Sequence, residues 1–336
     1  MSQRNSGHKF PVRSTLILAI TGVTAVILPL LLMRIGIIDP YTTRIITMGG
    51  INAIMAMSVN MIVGITGQLS LGQAGFLAIG AYSCIFFSAD MGLPLPAAVL
   101  CAVLVTAFAG FLIGFPVLKL SGDYLAIVTL GFGEIIRVVF INLKTLTGGP
   151  NGREFITAMV LNFELAFAVT TIVLIVVLAL LQNFLRSSYG RAIMACREDE
   201  IAANASGINI FRYKMIGFVI AAFIAGIGGC LYVMANGFVQ PKIAEFLKSI
   251  DFLIYVVLGG MGSMTGSILS AYVLTYLQEM LRFLQDYRLL IYPLILILVM
   301  MFRPKGLFGM KEFSFVGFFD KIGNKFFRRK LNEVKQ

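Results

Sequence analysis

Residues 191–209, RAIMACREDEIAANASGIN, hold the densest group of ionisable side chains in a chain that is otherwise strongly apolar. Arg197, Glu198, Asp199 and Glu200 are consecutive in this stretch. No histidine and no nucleophile with a partnering base accompanies them, so acid–base and covalent catalysis are poorly supported. Carboxylates placed before small helix-forming residues instead favour the positive end of a helix dipole. The chemistry that this stretch predicts is non-covalent binding.

The same stretch predicts a short helix whose first turn contains Glu198, Asp199 and Glu200. IAANAS continues it with good helix formers, and Gly207 stands where a left-handed C-cap would end it. A helix of about eight residues is roughly 12 Å long and is too short to be stable alone in water. It needs a surface to pack against, and a partner protein is one such surface. The alternative is a solvated connector whose charges keep it out of lipid.

A second group of polar residues lies within a glycine-rich stretch, GITGQLSLGQAGFLAIGAY, at residues 64–82. Glycines permit helix breaks and close helix approach, and exposed amides are tolerated inside a membrane only where they are buried in protein or face water. Gln68, Ser70 and Gln73 are therefore candidates for lining a translocation path. Tight helix packing by the glycines is an equally open interpretation.

A third group occurs in SGDYLAIVTLGFGEIIR, residues 121–137. Glu134 and Arg137 stand three apart on one helix face and are expected to pair, which lowers the cost of placing either charge near lipid. A purely structural pair is the alternative to a functional role. The candidates on this helix for lining a path are Thr129, Gly131, Gly133 and Glu134.

Several kinds of site are excluded by what the sequence contains. His8 is the one histidine, so metal sites and catalytic triads built on histidine are excluded. The four cysteines are widely separated and form no CxxC pair, which predicts neither disulfides nor metal ligands. No P-loop is present, so an ATP-driven process would need a separate ATPase subunit. We expect no catalytic residues, no cofactor and no metal.

The elements that position these residues follow from composition. The 336 residues are 58% hydrophobic and 13% charged, whereas soluble domains carry about 25% charged residues. About 20 apolar residues suffice to cross a bilayer. The sequence therefore predicts an all-α, polytopic membrane helix bundle. The net charge of +11 arises from short loops and tails beside apolar segments, which argues for membrane lipid and against nucleic acid as a partner.

About ten apolar segments are long enough to count as candidate spans. The eighth is short and ends in GGMGS, so we expect it to be broken or re-entrant. The segments lie at residues 15–33, 43–64, 71–89, 96–118, 124–142, 163–185, 211–235, 248–261, 264–284 and 288–302.

The distribution of basic residues predicts the orientation. About two thirds of the 27 Lys and Arg residues fall in segments that share one side if the N-terminus is cytoplasmic. Both termini are then expected in the cytoplasm, together with the charged loop at 186–210. The predicted layout is an N-terminal tail at 1–14, a transmembrane domain at 15–302 and a basic C-terminal tail at 303–336.

Six motifs in this order and spacing resemble the inner-membrane permeases of branched-chain amino acid ABC importers, in the LivM-type form. They are GQLSLGQAGFLAIGAY, YLAIVTLGFGEIIR, LTGGPNG, SYGRAIMACREDEIAANASGIN, VVLGGMGSMTGS and RPKGLFG. The resemblance covers about residues 40–310. It implies a fold of the larger, ten-span importer type and places the chain in the cell inner membrane.

The resemblance also implies a role for the charged loop, since such importers dock cytoplasmic coupling helices into a groove on each ATPase. The docking residues carried over are Arg197, Glu198, Asp199, Glu200, Ala202, Ala203 and Gly207. The expected partners are a second homologous permease, two ABC ATPase subunits and an extracytoplasmic substrate-binding protein. A related importer for urea, amides or other small polar solutes is the alternative, and an ion-coupled secondary transporter is a more distant one.

Overall fold

The computed structural model describes residues 26–27, 29–36, 38–120 and 122–283, with five further positions at 291, 293, 294, 297 and 301. The tails predicted at 1–14 and 303–336 lie outside the described residues. Most of the first predicted span, 15–33, and of the last, 288–302, also lies outside them.

The described residues are mainly helical. The first half of this region contains α1 (Pro40–Asn60), α2 (Gln73–Ile85), α3 (Leu95–Val117), α4 (Asp123–Asn142), α5 (Lys144–Thr147) and α6 (Ala158–Leu161). The second half contains α7 (Phe163–Arg186), α8 (Ser188–Glu198), α9 (Glu200–Ala205), α10 (Ile210–Asn236), α11 (Phe246–Gly259) and α12 (Met264–Met280). Short π-helical turns extend α1 to Ile65 and α2 to Asp90, and 3₁₀ turns lie at Gly149–Asn151 and Pro241–Ala244.

Five helices among the described residues are long and apolar enough to cross a membrane. They are Pro40–Ile65, Leu95–Val117, Asp123–Asn142, Phe163–Arg186 and Ile210–Asn236. Three helices that coincide with predicted spans, α2, α11 and α12, are shorter, with 13, 14 and 17 residues. Glycine-rich breaks cut their apolar runs, so an apolar segment in the sequence does not translate into one straight span. The figure of about ten spans stays a prediction.

The core of the bundle lies where α10 packs against α1, α2 and α3. Close approach there depends on small residues, since a Cβ atom on Gly80 would lie 2.5 Å from the carbonyl oxygen of Gly226. Two helices without side chains at their crossing bring their backbones together, as membrane helix pairs commonly do. This contact fixes α2, which carries the candidate path residue Gln73.

Other helix faces lie open to the surroundings. On α3, Leu104, Phe108 and Leu112 recur every fourth residue, and all three are more than half exposed. An apolar stripe of this kind on a long helix is suited to lipid tails.

A small antiparallel pair joins two connecting loops: β1 (Arg153–Glu154) pairs with β2 (Phe238–Val239), with Arg153 opposite Val239. The all-α prediction did not foresee this pair, because two-residue strands leave no periodic pattern in the sequence.

Candidate functional site

The charged loop predicted at 186–210 folds as two consecutive helices, α8 and α9. Ser187 begins α8, where its hydroxyl accepts a hydrogen bond from the Gly190 amide. Asp199 separates the two helices and caps α9: Oδ1 accepts from the amides of Ile201 and Ala202 at 2.9 and 3.0 Å. This pattern satisfies amides that a helix N-terminus leaves unpaired.

The prediction of one helix beginning with three acids was wrong in detail. Glu198 is the last residue of α8, Asp199 is the cap, and only Glu200 lies in the first turn of α9. An aspartate adopts extended backbone at a cap, and here φ is −155° and ψ is 109°, so the chain turns at that residue. The predicted C-cap was right in conformation, since Gly207 has a φ of +81° just beyond the end of α9.

The exposed surface of α9 contains a residue that the sequence reasoning missed. Ile201 is 84% exposed, which makes it the most exposed of the large apolar side chains in the described residues. Ala202 is exposed beside it, whereas Ala203 is buried against the rest of the chain. A large apolar side chain this exposed on a short helix is suited to contact with another protein. Hydropathy averaged over the charged loop conceals it.

Three acidic residues precede Ile201 in the chain. Glu198 and Asp199 are exposed, and Glu200 accepts a hydrogen bond from Lys214 of α10 at 2.5 Å. The Lys214 ammonium ties the start of α9 to the start of α10. The exposed part of the predicted docking set therefore consists of Glu198, Asp199, Glu200, Ala202 and Gly207.

Arg197 lies elsewhere, because its side chain turns inward from the end of α8. One guanidinium nitrogen donates a hydrogen bond to the carbonyl oxygen of Gly64, at the end of the π-helical turn that follows α1. The aliphatic part of the side chain lies against Gly67, where a Cβ atom would be 2.9 Å from Cγ of Arg197. A Cβ on Gly262 would lie 3.4 Å from the same guanidinium.

Two glycine-rich breaks therefore meet at Arg197. The first is residues 64–72, between α1 and α2, and the second is residues 260–263, between α11 and α12. The buried side chain of Asn60 joins them, since its Oδ1 accepts a hydrogen bond from the Gly262 amide at 2.8 Å. A Cβ atom on Gly64 would lie 2.4 Å from that amide nitrogen, so only glycine allows this approach. We call Asn60, Gly64, Gly67, Arg197 and Gly262 the break junction.

The predicted path residues of the first break are all buried. Gln68 lies beside Thr66, whose hydroxyl is 3.3 Å from its side-chain oxygen. Gln73 is 1% exposed, and its oxygen is 3.0 Å from the Ser58 hydroxyl. Its amide nitrogen has no hydrogen-bond partner among the described residues, and the same holds for the hydroxyl of Ser70, which is 2% exposed. Buried polar atoms of this kind normally bind water or a ligand.

The structure brings Thr129 and Gly133 of α4 to this break, but not Gly131. The Thr129 hydroxyl accepts a hydrogen bond from the Leu71 amide at 3.0 Å. A Cβ atom on Gly133 would lie 3.7 Å from Cα of Gly72. A Cβ on Gly131 would meet no atom within 4 Å. Thr129 and Gly133 lie on one face of α4 and Gly131 does not, because residues four apart share a helix face and residues two apart do not. A role for these residues in lining a path stays a prediction.

Glu134 forms the predicted pair with Arg137, at 2.7 Å between Oε2 and Nε. Its second oxygen accepts from the amide of Phe246, at the start of α11, at 3.3 Å. Both oxygens therefore have donors, and the bond to Phe246 joins α4 to α11. The arrangement makes Glu134 a structural anchor between two helices.

The chemistry available to these residues is binding and conformational change. Within the described ranges, no three His, Cys, Asp or Glu side chains lie close enough to hold a metal ion. The region contains an exposed apolar side chain on α9, one arginine that connects the end of α8 to two glycine breaks, and buried polar atoms beside the first break.

Comparison with known proteins gives a consistent result. The family described as "Branched-chain amino acid transport system / permease component" matches residues 41–301. The chain is 40% identical to the high-affinity branched-chain amino acid transport system permease protein LivM of Salmonella typhimurium, over 89% of this chain and 76% of that protein. It is 29% identical to BraD of Pseudomonas aeruginosa and 27% identical to LivH of Escherichia coli K12, each over 80% of this chain and 94% of the relative.

No solved structure matches the chain. The family match spans both glycine breaks, the charged loop and all five long apolar helices, so it covers every part of the candidate site. The chain belongs to the family of permease components of branched-chain amino acid transport systems.

Proposed function

We propose that this chain is the LivM-type permease subunit of an ATP-driven importer for branched-chain amino acids, located in the cell inner membrane. Both termini and the loop at 186–210 face the cytoplasm in this proposal, as the distribution of basic residues predicts. The tails at 1–14 and 303–336 then flank one transmembrane domain. The observation that carries the proposal is the exposed, doubly capped helix α9 with Ile201 at its surface.

Helix α9 is the docking element for an ABC ATPase. It has six residues, too few to be stable alone in water, and the Asp199 cap, Gly207 and the Lys214–Glu200 pair hold it in place. An apolar anchor ringed by polar groups is the usual make-up of an energetically important contact between proteins. Ile201 supplies the anchor and the exposed acids supply the ring.

Arg197 transmits the movement of α8 and α9 to the membrane domain. Its guanidinium contacts the break junction, where the chain on both sides is glycine-rich and helical hydrogen bonds are interrupted. Backbone of this kind changes dihedral angles at low cost, since glycine has no Cβ. ATP-driven closure of the ATPases would displace α9, and the break junction would move with it.

The path for the amino acid runs along the first break, past the buried polar atoms of Ser70 and Gln73. Gln68, Thr129 and Gly133 adjoin it. Uncharged donors and acceptors bind a zwitterion weakly, and weak binding allows release on the far side. Glu134 takes part through its contact with α11 rather than as a proton carrier, because both of its oxygens already accept hydrogen bonds.

The proposed partners are a second homologous permease, two ABC ATPase subunits and an extracytoplasmic substrate-binding protein. The similarity of this chain to both LivM and LivH supports a pair of related permeases. Membrane lipid covers the apolar stripe on α3. No cofactor, metal or nucleic acid enters the proposal. An importer for urea, amides or other small polar solutes is the second candidate, because an uncharged path would also pass these solutes.

The test is to replace Ile201 with Asp and to purify the permease pair with its ATPases. An acidic residue at the anchor removes the apolar contact, and we expect ATPase recovery to fall by about tenfold or more. Ile201→Leu is the matched control and should retain the ATPase. Recovery of the ATPase at the wild-type level with Ile201→Asp would show that α9 does not dock it.

Uptake into proteoliposomes shows whether ATP or an ion gradient drives transport. The assembled transporter should accumulate leucine when ATP is supplied inside with the binding protein outside, and it should fail to do so with a proton or sodium gradient alone. Accumulation by the permease alone under an ion gradient would establish a secondary transporter instead.

A further inference from the structure

A cavity of about 300 Å³ lies beside β2, between the end of α10 and the start of α11. Its charged lining consists of Lys242, Glu245, Lys248 and Asp251. This volume is at the lower end of the range of about 300–1,000 Å³ that small-molecule sites occupy. The cavity is separate from Ile201 and the break junction, and nothing in the proposed docking mechanism uses it.

The charges in the cavity balance, with two ammonium groups and two carboxylates. Lys248 and Asp251 face each other at 3.8 Å, which is beyond the range of about 2.7–3.2 Å for a good hydrogen bond. Each retains a partly exposed side chain, 35% for Lys248 and 27% for Asp251. An ammonium and a carboxylate that contact each other loosely are both able to accept a further charged partner. The ligand that matches both at once carries one charge of each sign.

The remaining lining is largely apolar. Tyr232 and Phe238 contribute aromatic rings, and Leu247 is 68% exposed next to Lys248. Apolar walls with a few convergent polar groups are typical of ligand sites. A small molecule with a charged end and a hydrocarbon end would therefore place its two parts against different walls. A hydrated ion or a small inorganic anion would leave the apolar wall unused.

The helix that carries Lys248 and Asp251 is also in direct contact with the proposed path. The Ser249 hydroxyl accepts a hydrogen bond from the amide of Ala74 at 3.1 Å. Ala74 follows Gln73, whose side-chain nitrogen has no partner among the described residues. A ligand that displaced the first turn of α11 would therefore act on the start of α2. The same turn begins at Phe246, which is bonded to Glu134.

We propose that this cavity binds a zwitterionic α-amino acid with an apolar side chain as it enters the path. Lys248 binds the carboxylate, Asp251 binds the ammonium group, and Tyr232, Phe238 and Leu247 contact the side chain. The inference rests on the proposed function, which places this end of α10 and α11 on the outer side of the membrane. It adds a binding site for that amino acid and a role for each of these residues.

Photolabelling of the assembled wild-type transporter tests the site directly. The probe is a diazirine analogue of leucine, and the labelled peptides are mapped by mass spectrometry. We expect adducts within residues 232–251 that excess L-leucine suppresses. Neither 4-methylpentanoate, which lacks the ammonium group, nor 3-methylbutylamine, which lacks the carboxylate, should suppress them at the same concentration.

Substitutions test whether Lys248 and Asp251 bind the two charged groups of the ligand. Lys248→Met and Asp251→Asn should each reduce the competed labelling by about tenfold, because each removes one charge-assisted hydrogen bond. Lys144→Met is the control, since Lys144 is an exposed lysine at the start of α5 that does not line the cavity. Its labelling should equal that of the wild type. Assembly with the other subunits, measured on the same samples, identifies any variant that fails to fold, and the wild-type competition experiment decides the matter in that case.

Two results would contradict the proposal that the cavity binds an amino acid. One is the absence of adducts in residues 232–251, and the other is equal competition by leucine and by the two single-charge analogues. If the same preparation accumulates leucine with ATP, the proposed function stands while the site is wrong. If it accumulates no leucine, the proposed function is wrong, and competed labelling would still assign the cavity an amino-acid ligand.

Discussion

Replacing Arg197 with Ala separates docking of the ATPase from transmission of its movement. The side chain leaves α8 at its C-terminal end and contacts Gly64, Gly67 and Gly262, so its removal takes away the direct link between the charged loop and both breaks. The exposed surface of α9 is unchanged by this substitution, because Asp199 still caps the helix. The ATPase should therefore still bind.

The magnitude follows from the contact that is lost. A hydrogen bond from a charged group is worth about 1.5–3 kcal/mol, and each 1.4 kcal/mol is about tenfold in an equilibrium constant. The carbonyl of Gly64 is in a buried residue and loses its charged donor. We expect coupled uptake to fall by about 10- to 100-fold. Arg197→Lys retains the charge but cannot reproduce the planar guanidinium. We expect its uptake to fall, but by less than that of Arg197→Ala.

The assay compares three quantities on each purified complex: ATPase recovery, ATP hydrolysis and leucine uptake into proteoliposomes. For Arg197→Ala we expect wild-type recovery and continued hydrolysis with little uptake. For Ile201→Asp we expect recovery itself to fall. The two variants lie four residues apart in the sequence, which makes the contrast between them informative.

Wild-type uptake by Arg197→Ala would show that this side chain does not transmit the movement of α8 and α9. Loss of ATPase recovery by Arg197→Ala, equal to that of Ile201→Asp, would place Arg197 in the docking surface, as the family resemblance implied.

The remaining predictions concern buried polar atoms and charged pairs. Ser70→Ala should raise the melting temperature and lower uptake, because it removes a buried hydroxyl that has no partner among the described residues and that the path uses; a fall in melting temperature would contradict this. Glu134→Gln should lower thermal stability and leave the pH profile of ATP-driven uptake unchanged, whereas a shifted profile would make Glu134 a proton carrier. The Arg153 guanidinium donates to Asp90, which lowers the pKa of that carboxyl. At pH values above the ordinary carboxyl pKa this pair stabilises the fold, and that contribution is lost as pH falls through the lowered pKa of Asp90. Arg153→Met should abolish the corresponding fall in melting temperature when melting is measured at a series of pH values. A fall of the same size in the variant would exclude the pair as its source.

The sequence was most informative about local backbone conformation and about neighbours on the same helix. Gly207 was expected in a left-handed C-cap and has a φ of +81°, because few other residues tolerate that conformation. The Glu134–Arg137 pair follows from helical spacing alone. The glycine-rich stretches at 64–72 and 260–263 do interrupt helices.

Features that depend on contacts between distant segments were not predictable. Arg197 reads as one of four charges in a row, and only the fold brings its side chain to Gly64, which is 133 residues away in sequence. Ile201 reads as one apolar residue in a polar loop, and its importance lies in its exposure. The cavity between α10 and α11 draws its charges from a stretch that hydropathy assigns partly to a span. Contacts between residues that are far apart in the chain leave no periodic pattern in a single sequence.

Cross-linking measures directly whether α9 contacts a separate ATPase. A photoreactive amino acid is placed at position 201 in the assembled transporter, and the same group at position 161 is the control. Leu161 is 78% exposed at the end of α6, which lies on the outer side in the proposed orientation. We expect a cross-link to the ATPase from position 201 that changes in yield with ATP, and none from position 161. A position 201 that labels only lipid, solvent or the outer binding protein would contradict it.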